Sequence, residues 1–226
     1  MARNERSDKG NVLVTGRDQR VGTWIGQQYI ARLDQFQFLL GLEAGKGAKE
    51  TGRISENAAR NVASRWVQKG WAVYRKILVG EPAWIWLTRY GLQDLGLSYK
   101  PYTPSIVSLK HMYAVNQVRI ELEKKFPDSI WVSERDIRAK MFYQKGARLP
   151  HVPDGILQTE KGDIAIEVEL TLKKPLVLLA ILRELVDLYH EVWYFVSIET
   201  GEVVNAARKK LDPDQAQRII IYSAWT

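Results

Sequence analysis

The chain has 226 residues, is 46% hydrophobic and 10% aromatic, carries a net charge of +7 and has no cysteine. That is enough apolar residue for folded cores, in one large domain or two small ones, and it excludes disulfides and thiolate zinc sites. No apolar run approaches ~20 residues and the first ten residues, MARNERSDKG, lack an apolar core, so neither a membrane span nor a signal peptide is expected. A cysteine-free chain agrees with a reducing cytoplasm, the location we expect.

The charge is unevenly placed. Residues 1–100 hold 16 basic against 9 acidic side chains, and residues 101–226 hold 17 against 17. A basic half joined to a neutral half points the first half at a polyanion, most often nucleic acid, although a merely soluble basic surface gives the same balance.

Residues 1–20 read as a polar arm and residues 21–97 as the first domain. In VGTWIGQQYIARLDQFQFLLGL the apolar residues recur at three- and four-residue steps, predicting one or two helices. Gly41, Gly45, Gly47 and Gly52 mark a loop. SENAARNVASRWVQK, 55–69, predicts a helix with Ser55 as N-cap and Gly70 as its stop. Ala59, Val62, Ala63, Trp66 and Val67 form its apolar stripe. Asn57, Arg60, Asn61, Ser64, Arg65 and Gln68 form a second face of the side chains that meet base edges and phosphates. The alternative is an ordinary amphipathic surface helix, against which the polar face, the hairpin that follows and the charge asymmetry all point to DNA. Strand-like runs at 71–79 and 83–88 flank the turn at Gly80-Glu81-Pro82, placing Arg75 and Lys76 on a hairpin. Trp66, Trp71, Trp84 and Trp86 fall on apolar stripes or in that hairpin and read as core, as do Trp131 and Trp193. Helix, helix, hairpin is the order of a winged helix-turn-helix, and L-T-R-Y-G at 87–91 resembles the end of the wing in winged-helix regulators.

Residues 98–106, SYKPYTPSI, read as the linker. The second domain, 107–226, opens with a helix at 108–125 and a strand at 130–137. A basic loop with Lys140, Lys145 and Arg148 follows at 139–150, then strands at 154–158 and 163–171. An apolar helix at 175–190, a strand at 191–198, a helix at 201–211 and the strand RIIIYS complete the chain. The apolar helix has little polar face, so it is either deeply buried or part of an interface such as a homodimer. His111 reads as a locally packed or hydrogen-bonded helix residue.

Alternation along 164–171 puts Glu167 and Glu169 on one face, with Asp154 near enough on the preceding strand to join them. Three converging carboxylates repel unless a cation or protons compensate, and a hard ion such as Mg²⁺ accepts such oxygens. The alternative is a solvated sheet face paired with Lys or Arg.

Pro153-Asp154, twelve intervening residues and Glu167-Val168-Glu169, followed by a helix and a strand, resembles the PD-(D/E)XK nuclease superfamily. The resemblance implies metal binding by Asp154 and Glu167, with Mg²⁺ as cofactor, and a match of Glu121 to the acidic residue some members carry on the opening helix. Glu169 stands where that family has lysine. Lys173 shares its strand parity and is the residue able to swing back. Together with H-x-x-x-V-N-x-V-R (His111 to Arg119), W-V-S-E (131–134), P-D-G (153–155), I-E-V-E-L-T (166–171) and V-W-Y-F (192–195), the chain resembles the replication-relaxation family of plasmids and other mobile elements.

The expected fold is therefore α/β, α+β overall: a winged helix-turn-helix followed by a PD-(D/E)XK-like domain with a mixed central sheet. The expected function is a double-stranded DNA-binding accessory or regulator in replication, relaxation or transfer, working with proteins of a mobile element and without catalysis because Glu169 replaces the lysine. The alternatives are a Mg²⁺-dependent endonuclease with Asp154, Glu167, Glu169 and Lys173 as catalytic residues, and a protein-interaction module.

Overall fold

The computed structural model describes residues 13–43, 52–141 and 150–225. The first twelve residues of the expected arm, Gly45 and Gly47, and the loop cations Lys145 and Arg148 lie outside the described residues. The chain divides into two units at Ile106/Val107, at the end of the expected linker.

Unit 1 begins with α1, Gly16–Gln27, so the last five residues of the expected arm are helical. Thr15 and Asp18 cap it reciprocally: Thr15 Oγ1 accepts from the Asp18 N–H and the Asp18 carboxylate accepts from the Thr15 N–H. The helix pair expected in 21–42 breaks at Tyr29, whose φ of 71° no helix tolerates. A short strand β1, Ala31–Arg32, leads into α2, Leu33–Leu42. The next helix, α3, covers Glu56–Gln68, and the Ser55 hydroxyl accepts from the Ala58 N–H at 3.2 Å. Gly70, at φ 80°, turns the chain out of it.

Strands β2, Ala72–Arg75, and β3, Trp84–Leu87, pair antiparallel, and β1 adds to the other edge of β3 in the order β1-β3-β2. The hairpin strands are shorter than the apolar runs suggested, because Ile77 to Val79 belong to the connection. A helix that periodicity did not signal, α4, Arg89–Asp94, starts where the Thr88 hydroxyl accepts from the Gly91 N–H. Phe36, Trp66 and Trp71 meet edge to face at the centre of the core, and all four tryptophans expected there, Trp66, Trp71, Trp84 and Trp86, are buried.

Unit 2 is organised on a five-stranded mixed sheet, β4-β5-β6-β7-β8. Helix α5, Ile106–Lys125, precedes β4, Ile130–Ser133. The strand expected to continue to 137 ends at Ser133, and 134–141 form a helix, α6. The cause is S-E-R-D: the Ser133 hydroxyl accepts from the Asp136 N–H while the Asp136 carboxylate accepts from the Ser133 N–H and hydroxyl. Strands β5, Gly155–Thr159, and β6, Gly162–Glu169, pair antiparallel with each other, and β4 with β5. Helix α7, Pro175–Leu188, carries the chain back so that β7, Glu191–Ser197, runs parallel to β6. Helices α8, Ile198–Arg208, and α9, Pro213–Ala216, precede β8, Ile219–Trp225, parallel to β7.

Each sheet face has its own core. Ile164, Ile166 and Val168 of β6 pack with Ala114, Val115 and Val118 of α5. Ala165, Val192 and Tyr194 pack on the opposite face with Leu178 and Leu182 of α7 and Val204 of α8. One stripe of α7 is buried and worth about 2 kcal/mol per leucine, whereas Leu176, Val177 and Leu188 are exposed. No helix among the described residues is long and apolar enough to cross a membrane.

Candidate functional site

The alternation that buries Ala165 on the α7 face of β6 also points Glu167 and Glu169 to that face. Both are buried, at 4% and 5% exposure, so they do not form a solvated sheet face. Asp154 stands immediately before β5 and is tied across to β6: its Oδ2 accepts from the Val168 N–H at 2.8 Å. Gly155 permits this junction, because a Cβ there would stand 2.2 Å from the Trp131 indole.

Every carboxylate has a basic partner. His111 Nε2 of α5 lies 2.9 Å from Asp154 Oδ1, and His151 Nε2 lies 3.0 Å from Glu167 Oε1. Lys173 Nζ lies 2.5 Å from Glu169 Oε2, and Glu169 Oε1 accepts from the Thr171 N–H and hydroxyl. Thr200 of α8 fixes the end of the strand by donating to the Glu169 carbonyl at 2.9 Å. Of the four expected residues, Glu169 and Lys173 are in contact, and Glu167 and Asp154 lie within electrostatic reach of Lys173.

The electrostatics follow from burial and pairing. Burial pushes the Glu167 carboxyl up to about 7, against the pull of His151. Burial opposes charge on His151, but the Glu167 carboxylate outweighs it and raises the imidazole above its usual value. His111 is raised in the same way, with Asp154 overcoming burial. For Lys173, too, burial is overcome, by Glu169 first and then Glu167 and Asp154. Tyr194, level with Glu167 on β7, is fully buried and its hydroxyl has no hydrogen-bond partner. Burial and the neighbouring carboxylates push its phenol well above the ordinary tyrosine range.

Mg²⁺ is the ion the sequence resemblance implies. The oxygen donors suit a hard cation, but the arrangement does not. Both oxygens of Asp154 are engaged, both of Glu169 are engaged, and Glu167 is held by an imidazole. Among the described residues no group of three or more His, Asp and Glu side chains is set to hold an ion.

In unit 1, Asn57, Arg60, Asn61, Ser64 and Gln68 are all exposed along one face of α3, as their spacing predicts. Arg60 is ion-paired with Glu56, one turn earlier. Arg65 is drawn off that face: its Nη2 lies 2.6 and 2.7 Å from the two oxygens of Asp18, which is fully buried and also accepts from Trp66 Nε1 at 3.1 Å. Arg75 and Lys76 are exposed at the end of β2. Tyr74, half-buried on β2, lies within the electrostatic reach of Arg60 and Glu56.

Sequence reasoning missed His151 and misread His111, whose partner is 43 residues away rather than local. The signal was present: His151 is three residues from Asp154, and His111 opens the H-x-x-x-V-N motif. Glu121 is not at the site. It is exposed on α5 and paired with Lys124 at 3.0 Å. Lys140 is exposed at the end of α6. Comparison with known proteins found no matching family model, no similar curated protein and no similar solved structure.

Proposed function

We propose that this chain is a double-stranded DNA-binding accessory or regulatory protein of a plasmid or mobile element, acting with that element's replication or transfer proteins. The observation that carries the DNA reading is α3. Five uncharged-polar or cationic side chains stand exposed along one face, while the opposite face buries Ala59, Val62, Ala63 and Trp66. In this reading unit 1 is a winged helix, α3 enters the major groove, and Arg75 and Lys76 approach the phosphates. The resemblance to the replication-relaxation family supplies the setting, and unit 2 is then a nuclease-like domain put to non-catalytic use.

The test is a mobility shift in EDTA on a duplex selected from a random pool. Binding should persist without metal. Arg60→Ala with Asn61→Ala should weaken the selected duplex by about ten-fold or more, at ~1–3 kcal/mol per lost base contact, and weaken random duplex far less. Equal losses on both would remove α3 from the role of reader.

A second reading is a metal-dependent endonuclease, favoured by the convergence of Asp154, Glu167, Glu169 and Lys173. It requires the pairs just described to open. Supercoiled plasmid nicked in Mg²⁺ or Mn²⁺, untouched in EDTA, and untouched by Asp154→Ala and Glu167→Ala would establish it over the first.

A further inference from the structure

We propose that Lys173 is the resident cation of the carboxylate site, its ammonium standing where a divalent ion would be expected. The chain places it there itself. Strand β6 ends at Glu169, and the next four residues fold back over that carboxylate: Thr171 gives an N–H and a hydroxyl to Oε1, and Lys173 gives its ammonium to Oε2. Glu169 is thereby held by its own downstream segment, through hydrogen bonds on Oε1 and an ion pair on Oε2. The imidazoles of His111 and His151 take the facing oxygens of Asp154 and Glu167.

Three clustered carboxylates in a buried setting demand positive charge. A lysine ammonium is a compact point charge with three donors and can meet that demand. It lies close enough to feel all three acids, Glu169 most and then Glu167 and Asp154. A divalent ion among the same oxygens would have to expel the ammonium, since two cations at such spacing repel strongly in a poorly screened interior. Tyr194, level with Glu167 and within electrostatic reach of all three carboxylates, is fully buried with an unpartnered hydroxyl, one more oxygen on that sheet face. Only unit 2 is involved, so the proposal stands apart from the DNA reading of unit 1.

The experiment is Mn²⁺ titration of the full chain followed by electron paramagnetic resonance, with the thermal midpoint recorded in EDTA and in excess Mn²⁺. The wild-type chain should bind Mn²⁺ no tighter than roughly 1 mM and melt at the same temperature in both buffers. Lys173→Met should melt earlier in EDTA, bind Mn²⁺ at least about ten-fold tighter and recover its midpoint when Mn²⁺ is added. Should that variant not fold in EDTA, folding restored by Mn²⁺ supports the proposal equally. Micromolar binding by the wild type that Asp154→Asn removes would overturn the proposal. So would a Lys173→Met variant with unchanged Mn²⁺ affinity or no recovery. The mobility shift in EDTA is read independently, so either idea can fail without the other.

Discussion

Arg60 and Lys173 make the same kind of contact in different surroundings. Each is ion-paired with a glutamate four residues earlier, Glu56 in one case and Glu169 in the other. The side chains of Arg60 and Glu56 are both about half exposed, whereas the Glu169 side chain keeps only 7% of its surface and Lys173 33%. An exposed pair of this spacing is worth a few tenths of a kcal/mol. It gives way readily. A buried pair is different: removing one partner strands a charge where water cannot reach it, and the loss is several kcal/mol. A cation paired with a glutamate thus makes a releasable contact on α3 and a fixed one at the end of β6.

Asp18 tests this rule within unit 1, because it is the buried anchor beneath the exposed helix. It is fully buried, yet it holds Arg65, the Trp66 indole N–H and the Thr15 N–H together. Asp18→Ala should cost about 3–5 kcal/mol, read as a loss in the chemical-denaturation midpoint of unit 1. A cost below ~1 kcal/mol would show that burial does not set the strength of these pairs.

The two units should also respond to pH in opposite senses. Burial raises the Glu167 carboxyl above its usual 4.5, to about 7. Between those values the folded chain holds a proton that the unfolded chain has released, so stability is full below about 4.5 and is lost as pH rises through about 7. His151 and His111, both raised, add in the same sense near neutrality. Asp18 runs the other way. Burial works against its charge, but the hydrogen bonds of Thr15 and Trp66 and the Arg65 charge win and hold it below 3.8, so its contribution is present above that value and fades in acid. Unit 2 should therefore lose up to about 2–3 kcal/mol between pH 5 and 8, and unit 1 should lose stability only in strong acid. Glu167→Gln should flatten the neutral slope of unit 2 in a thermal-midpoint series. A slope as steep as the wild type's in that variant would move the titration away from Glu167.

How much of this was legible in sequence depends on the range of each interaction. The faces of α3 and β6 follow from periods of 3.6 and 2, so Asn57, Arg60, Glu167 and Glu169 could be placed without coordinates. Lys173 was reachable by parity, although its fold-back depends on the strand ending at Glu169. The capping boxes at Thr15 and Ser133 are written in the sequence as T-x-x-D and S-x-x-D. What could not be read is pairing across long separations: Asp18 to Arg65 over 47 residues and His111 to Asp154 over 43. Arg65 shows the consequence. Its helical position admits a phosphate contact, and only the fold reveals the buried acid that claims it. The mixed sheet was legible as an element order, and its strand order came from the structure alone.

The smallest effect sharpens the opening comparison most. Glu56→Gln breaks the exposed pair without touching Arg60 or the shape of α3. The pair contributes a few tenths of a kcal/mol, and the loss of a negative charge from the first turn of the helix costs a similar amount, so unit 1 should lose no more than about 1 kcal/mol. If Arg60 faces DNA, the same change should tighten binding to the selected duplex by a few-fold at low salt, because a competing carboxylate has been removed, and the gain should shrink as salt screens it. A stability loss well beyond that range would mean the pair is a structural fixture like Lys173–Glu169. Unchanged affinity at low salt would mean that Arg60 does not exchange Glu56 for DNA.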